Sequence, residues 1–212
     1  MEKLAELLSK SLLLKERFAF DSEKRAEHGI ICGIDEAGRG PLAGDVYAAA
    51  VVLPEGAFIE GLDDSKKLSE KRREELFDII ISQCSAYCIA TASAEEIDRV
   101  NILNATFLAM RRAVEGLGTK VDFAIVDGNR DPKLYCPVET VVKGDSKSAS
   151  IAAASILAKV ARDRYMKTLD ERYPEYLFAK HKGYGTKLHY EMLEKYGPCP
   201  EHRRSFLKKL GL

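Results

Sequence analysis

Three short, apolar, β-prone runs in this 212-residue chain each lead into an acidic residue. Gly29–Ile34 is followed by Asp35 and Glu36, Asp122–Val126 by Asp127, and Val138–Val142, a few residues on, by Asp145. Runs of this length read as buried strands, whereas most carboxylates belong on solvated faces. Acidic residues at the points where several strands leave a core are placed to meet at one site. Such a cluster repels itself, so its pKa values rise unless cations sit among the oxygens. Oxygen donors with no Cys or His nearby favour a hard cation, Mg²⁺ or Mn²⁺. Two such ions about 4 Å apart can activate water and stabilise the leaving oxygen of a phosphodiester. Each Asp taken alone is equally an ordinary turn or helix-cap residue, and the apolar pattern does not set their separation in space.

The remaining pattern predicts a mixed α/β layer fold, with strands first and then helix and strand in alternation. Leucines at helical spacing predict an amphipathic helix over Met1–Arg17, and the polar stretch Asp21–His28 reads as a connector. Val46–Leu53 and Ala86–Ala92 are further strands. Glu70–Gln83 has helical periodicity with Ser69 as N-cap, and Ala94–Gly116 reads as helical. Ser148–Glu171 is a long helix ended by Pro174. Its small residues Ala152, Ala153, Ala154 and Ser155 let it approach a sheet closely and read as packing. Lys180–Thr186 is a glycine-rich basic loop, with two short helices after it.

Net charge is zero, yet residues 146–212 carry 14 Lys and Arg against 7 Asp and Glu. A basic C-terminal part suits nucleic-acid phosphates, although charged helix surfaces are common. The five cysteines form no C-x-x-C pair, which speaks against a disulfide framework or a structural zinc and for free thiols. The histidines make no H-E-x-x-H pattern, and Gly38-Arg39-Gly40 lacks the third glycine of a dinucleotide fingerprint. No apolar run approaches the roughly 18 residues of a membrane span, and charged residues interrupt the N-terminal run. The expected compartment is the cytoplasm, without membrane attachment.

At Asp35-Glu36-Ala37-Gly38-Arg39-Gly40-Pro41 the chain resembles the ribonuclease HII family. The resemblance continues, in order, through Ala48–Leu53, Asp64–Ser69, Val126-Asp127-Gly128, Lys143–Ser148, Ala152–Lys159, His181–Thr186 and His202–Phe206. It implies a ribonuclease H-like fold, a mixed five-stranded sheet flanked by helices with a C-terminal helical extension. The corresponding division is an N-terminal helical extension over 1–28, a catalytic domain over 29–186 and a substrate-clamping segment over 187–212. It further implies an endonuclease using two Mg²⁺ or Mn²⁺ ions held by Asp35, Glu36, Asp127 and Asp145. Expected partners are RNA/DNA hybrids and DNA duplexes containing single ribonucleotides, cut 5′ of the ribonucleotide to leave 5′-phosphate and 3′-hydroxyl ends. The enzyme is expected to be monomeric, and docking to replication factors is left open.

Discrimination of RNA from DNA needs a reader of the 2′-hydroxyl. The backbone of Gly38, Arg39 and Gly40 can approach a sugar closely, and Tyr184 looks like the family tyrosine that contacts that hydroxyl and stacks on the next sugar. Ser65, Lys66, Lys143, Lys147, His181, Lys182, Arg203 and Arg204 are candidate phosphate contacts, each equally readable as solvated surface charge. Related readings fit less well. A junction resolvase or ribonuclease HIII would share the carboxylates but not Gly38–Gly40 with Tyr184. A non-catalytic binding module would tolerate loss of the acidic residues, and a small-molecule phosphatase leaves the basic C-terminal part unexplained. One departure stands out: Gly44-Asp45-Val46-Tyr47 occupies a place where the family commonly has Gly-Pro-Val-Val, which adds a carboxylate near the expected site.

Overall fold

Along β2 (Val46–Val52) the residues Val46, Ala48, Ala50 and Val52 are buried on one side, and Ala49 and Val51 on the other. A strand apolar on both faces has to be sandwiched, and this period-two pattern dictates helices above and below the sheet. The computed structural model describes residues 2–208, except the side chains of residues 2–7 and 10. Met1 of the first expected helix and the end of the expected C-terminal segment lie outside the described residues.

The sheet has five strands in the order β3-β2-β1-β4-β5, with β1 Ile31–Ala37, β3 Ala86–Ala92, β4 Phe123–Asp127 and β5 Val138–Val141. β1 pairs antiparallel with β2, and β2 with β3, whereas β1–β4 and β4–β5 are parallel. The helices are α1 Glu2–His28, α2 Glu70–Gln83, α3 Ala94–Val100, α4 Ile102–Glu115, α5 Ala149–Arg172, α6 Phe178–His181, α7 Lys187–Tyr196 and α8 Arg204–Leu207. α4 covers one face of the sheet through Ala105, Ala109, Met110 and Ala113. α5 covers the other through Ala149, Ala152, Ala153 and Ile156. The approach of α5 is close enough to dictate a glycine beneath it: a Cβ on Gly33 would overlap the Ser150–Ile151 backbone.

Most elements form where the periodicity places them, and α2 is capped by the Ser69 hydroxyl as expected. One expectation is corrected. The connector 21–28 is helical and continues α1 without a break. Tertiary contacts explain it: the buried Asp21 carboxylate accepts from the Ser150 N–H (2.7 Å) and hydroxyl (2.6 Å), and Arg25 donates to the Leu53 carbonyl (2.8 Å). Asp21 also places a carboxylate by the first turn of α5, where the orphan N–H groups favour negative charge. The stretch 94–116 is helical as expected apart from Asn101, whose φ of +69° separates α3 from α4 and whose side chain caps α4 by accepting from the Asn104 N–H.

The C-terminal helices surround a small core of their own, in which Leu42, Ala43, Met166, Tyr176, Phe178, Leu193 and Leu207 pack together. That core takes residues from both sides of position 186, where the sequence reading draws a boundary. All five cysteines are free. Among the described residues no helix is long and apolar enough to cross a membrane.

Candidate active site

β1 and β4 are parallel neighbours whose last paired residues are Ile34 and Val126. Asp35 and Asp127 are the next residue of each strand, and alternation turns both toward the α5 side of the sheet. Glu36 follows on the opposite side, where it borders a recess of about 70 Å³ with Thr106, Phe107 and Met110 of α4. The carboxyl ends of parallel strands are the usual place for a ligand in an open α/β sheet. Asp145 sits in the 3₁₀ turn Gly144–Ser146 just before α5. This turn is tied to β4 because the Gly144 N–H donates to Asp127 Oδ1 at 2.6 Å.

Asp35, Glu36 and Asp127 open on a cavity of about 240 Å³. Its walls are Gly38, Arg39 and Gly40 after β1, Ser65 and Lys66 from the loop before α2, Tyr184, and Ser155, Lys159 and Arg162 on α5. A wider open groove of about 550 Å³ between α2 and α5 is lined by Glu70, Lys71, Glu74, Glu75, Asp78 and Lys167. Its side chains are solvated surface charges, among them the Glu70–Lys167 ion pair, so size does not mark the site.

The electrostatics of the two-strand end follow from burial. Desolvation, then the charges of Glu36 and Asp127, push the Asp35 carboxyl well above the usual carboxylate range. Bonds from the Glu36 N–H and the Ser155 hydroxyl offset part of that rise. Glu36 is also raised by burial, against the pull of Arg39, whose Nη1 lies 3.2 Å from Glu36 Oε1. Asp145 is raised by burial and by the nearby Asp64 and Asp127 charges. Lys66 stands 3.7 Å from Asp145 Oδ2; burial works against its charge, but the surrounding carboxylates hold its pKa above the ordinary lysine value.

The donor set is therefore oxygen-only and crowded, with carboxyl pKa values raised even beside Arg39 and Lys66, which fits a hard divalent cation. Among the described residues no three of these side chains enclose an ion by themselves.

The other expected residues divide. Lys143 and Lys147 are exposed beside Asp145, and Tyr184 is 44% exposed on the cavity rim. The Lys182 carbonyl accepts from Arg162 Nη2 at 3.0 Å, and Arg204 donates to the Pro198 carbonyl at 3.2 Å on the surface. His181 and Arg203 stand apart from a phosphate-contacting role. His181 is buried, with Nε2 on the Tyr176 carbonyl (2.8 Å) and Nδ1 accepting from the Gly183 N–H. Arg203 is fully buried, and its guanidinium is spent on backbone carbonyls. Asp45 does not line the cavity; it turns to the Tyr165 hydroxyl, which donates more closely to Glu201 (2.9 Å).

Three cavity residues escaped the sequence reading. Ser155, Lys159 and Arg162 lie on a helix whose small residues read as packing, yet one stripe of α5 faces the cavity. Ser155 Oγ shares a hydrogen bond with Ser65 Oγ (2.9 Å), and Lys159 pairs with Asp163 at 2.6 Å. The buried Arg162 lies under the Tyr184 ring, 5.7 Å from its centroid. The i, i+4, i+7 spacing of Ser155, Lys159 and Arg162 is the signal that marks a polar stripe on an otherwise apolar helix.

A family profile described as Ribonuclease HII matches residues 32–209 of the chain. Ribonuclease HII of Caldicellulosiruptor bescii is 57% identical over 180 residues, 85% of this chain and 87% of that relative. The Bordetella avium ribonuclease HII is 56% identical over 184 residues, 86% of this chain and 91% of its own. Among solved structures, ribonuclease H2 from Pyrococcus horikoshii OT3 is similar at a TM-score of 0.69 and 31% identity, covering 82% of this chain and 92% of that one.

Proposed function

The chain belongs to the ribonuclease HII family and is a hydrolytic endoribonuclease, and from that premise we propose that it cuts the RNA strand of RNA/DNA hybrids and nicks duplex DNA 5′ of a single embedded ribonucleotide. One observation carries this reading: Asp35, Glu36 and Asp127 share the lining of one cavity with the Gly38–Gly40 segment and Tyr184. The chemistry of phosphodiester cleavage and a place for a sugar edge meet in the same space.

In this reading Asp35, Glu36, Asp127 and Asp145 would hold two divalent ions, Mg²⁺ or Mn²⁺. When bound, such ions acidify the attacking water and neutralise charge on the departing oxygen. Water oxygen bonds to phosphorus and the P–O3′ bond breaks; the 3′ oxygen gains a proton, which leaves a 3′-hydroxyl and a 5′-phosphate. Lys66 neutralises Asp145 and Arg39 neutralises Glu36 until substrate arrives. Ser65, Lys66, Lys143, Lys147 and Lys182 position the backbone phosphates. Gly38, Arg39 and Gly40 present backbone groups to the 2′-hydroxyl, and Tyr184 closes over the neighbouring sugar.

The test is a DNA duplex carrying one ribonucleotide, incubated with Mg²⁺, Mn²⁺ or chelator and mapped at nucleotide resolution. A metal-dependent nick on the 5′ side of the ribonucleotide is expected, and it should vanish in Asp35→Asn. Cleavage confined to long RNA tracts would sink the single-ribonucleotide reading, and an active, metal-responsive Asp35→Asn would sink the carboxylate assignment. Tyr184→Ala should lose more activity at the lone ribonucleotide than on a long hybrid. Equal losses on both substrates would remove Tyr184 from sugar recognition.

A further inference from the structure

Arg203 is 0% exposed and makes no carboxylate ion pair among the described residues. Its guanidinium instead gathers four carbonyls from one loop: Gly38 at 2.6 Å, Arg39 at 3.0 Å, Pro41 at 2.7 Å and Gly44 at 2.9 Å. Burying a guanidinium without a carboxylate partner is costly, so stability alone is a poor reason to keep it there. The geometry supplies a better one. A trans peptide is planar, with C=O and N–H pointing opposite ways. Tying down the Gly38 and Arg39 carbonyls turns the Arg39 and Gly40 N–H groups away from Arg203. The residues so turned line the carboxylate cavity, and Arg203 does not. Neither N–H meets an acceptor among the described residues.

We propose that Arg203 is a positioning residue for ribonucleotide recognition: it aims the Arg39 and Gly40 N–H donors into the cavity without touching substrate. The proposal rests on the functional reading above, in which those groups meet the 2′-hydroxyl. Gly38 fits the same design. Its φ of +94° sets the sharp turn, and a Cβ there would collide with the Arg162 side chain. The segment that carries Arg203 is itself firmly placed. The Arg203 N–H donates to the Leu42 carbonyl (2.8 Å), and the Gly44 N–H to Glu201 (2.8 Å). His202 reaches the other wall: its Nε2 lies 3.0 Å from His189 Nε2, and His189 Nδ1 lies 3.0 Å from the Tyr184 carbonyl. A lysine cannot replace this arrangement, because an ammonium is a point donor without the planar fork that spans four acceptors.

The experiment uses the intact chain and Arg203→Lys. Binding is titrated in chelator against a duplex with one ribonucleotide and its all-deoxy counterpart, at several salt concentrations. Metal-dependent cleavage then gives kcat and KM separately. Arg203→Lys is expected to keep all-deoxy affinity and its salt slope, to lose the preference for the ribonucleotide, and to lower kcat by about 100-fold, the scale of a 1 Å misplacement. Equal weakening on both duplexes would make Arg203 a plain strut and overturn the proposal. A salt slope smaller by about 1 would make it a phosphate ligand and also overturn it. A wild-type chain without ribonucleotide preference defeats the functional reading itself; a wild-type preference that survives in Arg203→Lys defeats only the positioning role. If Arg203→Lys fails to fold, Arg203→Ala is assayed with methylguanidinium or with KCl at equal ionic strength. Recovery of preference with methylguanidinium alone is expected, and refolding without that recovery overturns the proposal.

Discussion

At the scale of single residues, the carboxylates at the strand ends work against the fold that holds them. The folded-state pKa values of Asp35, Glu36 and Asp145 lie above ordinary values, burial being the first cause in each. Groups raised in this way contribute their stability below the unfolded pKa of about 4 and lose it as pH rises through the folded values. At neutral pH, without divalent ions, they are a net cost. Asp35→Asn is therefore expected to melt higher than the wild type in chelator, by on the order of 1 kcal/mol or about 2–4 °C for a chain this size. Adding Mg²⁺ should raise the wild-type melting temperature and move Asp35→Asn less, because ligand binding to the folded state adds stability. Thermal melts from pH 5 to 8 with and without metal check both statements, and a variant that melts lower in chelator would contradict the first. These carboxylates were legible in the sequence because their placement breaks the rule that acids follow solvent. Arg203, His181 and Arg162 were not, because a basic residue in a basic segment reads as surface until its contacts are known.

At the scale of elements, the sheet and α5 are fitted by the absence of a side chain at Gly33. The alternating apolar pattern located the strands, and the Ser69 cap located α2, from local information alone. The helical turns over 21–28 were not legible, since they are held by Ser150, 129 residues from Asp21, and by Leu53, 28 residues from Arg25. Nor was the break at Asn101, which depends on a left-handed backbone residue inside a helical pattern. The close approach of α5 makes a specific expectation. Gly33→Ala forces α5 off β1, and overpacking of this kind costs about 1–3 kcal/mol or more. Chemical denaturation should show the loss. Because α5 carries Ser155 under Asp35, activity should fall further than the unfolded fraction explains. A Gly33→Ala protein of wild-type stability would mean that the helix can yield at no cost.

At the scale of the whole molecule, zero net charge hides a basic C-terminal part and an acidic remainder. Affinity for a duplex then depends on a local set of cations rather than on the mean field of the chain. With about four or five phosphate contacts, log K should fall against log salt with a slope near −4, and Lys143→Ala should reduce that slope by about 1 on every sequence. Fluorescence anisotropy between roughly 50 and 200 mM salt checks this. A slope near zero would remove the basic residues from binding. The C-terminal helices share a core with Leu42 and Ala43 and so are built into the loop that follows β1. That closure was invisible in the sequence, where the two regions lie at opposite ends.

The bond from Arg203 to the Arg39 carbonyl joins positions 164 residues apart. At a translation rate of about 5–20 residues per second, the loop waits on the order of 10–30 s for the arginine that orients it. Asp35, Glu36, Asp127 and Asp145 all leave the ribosome before then. On the positioning role inferred for Arg203, a product of translation stalled short of it carries every carboxylate and lacks the residue that aims the loop beside them.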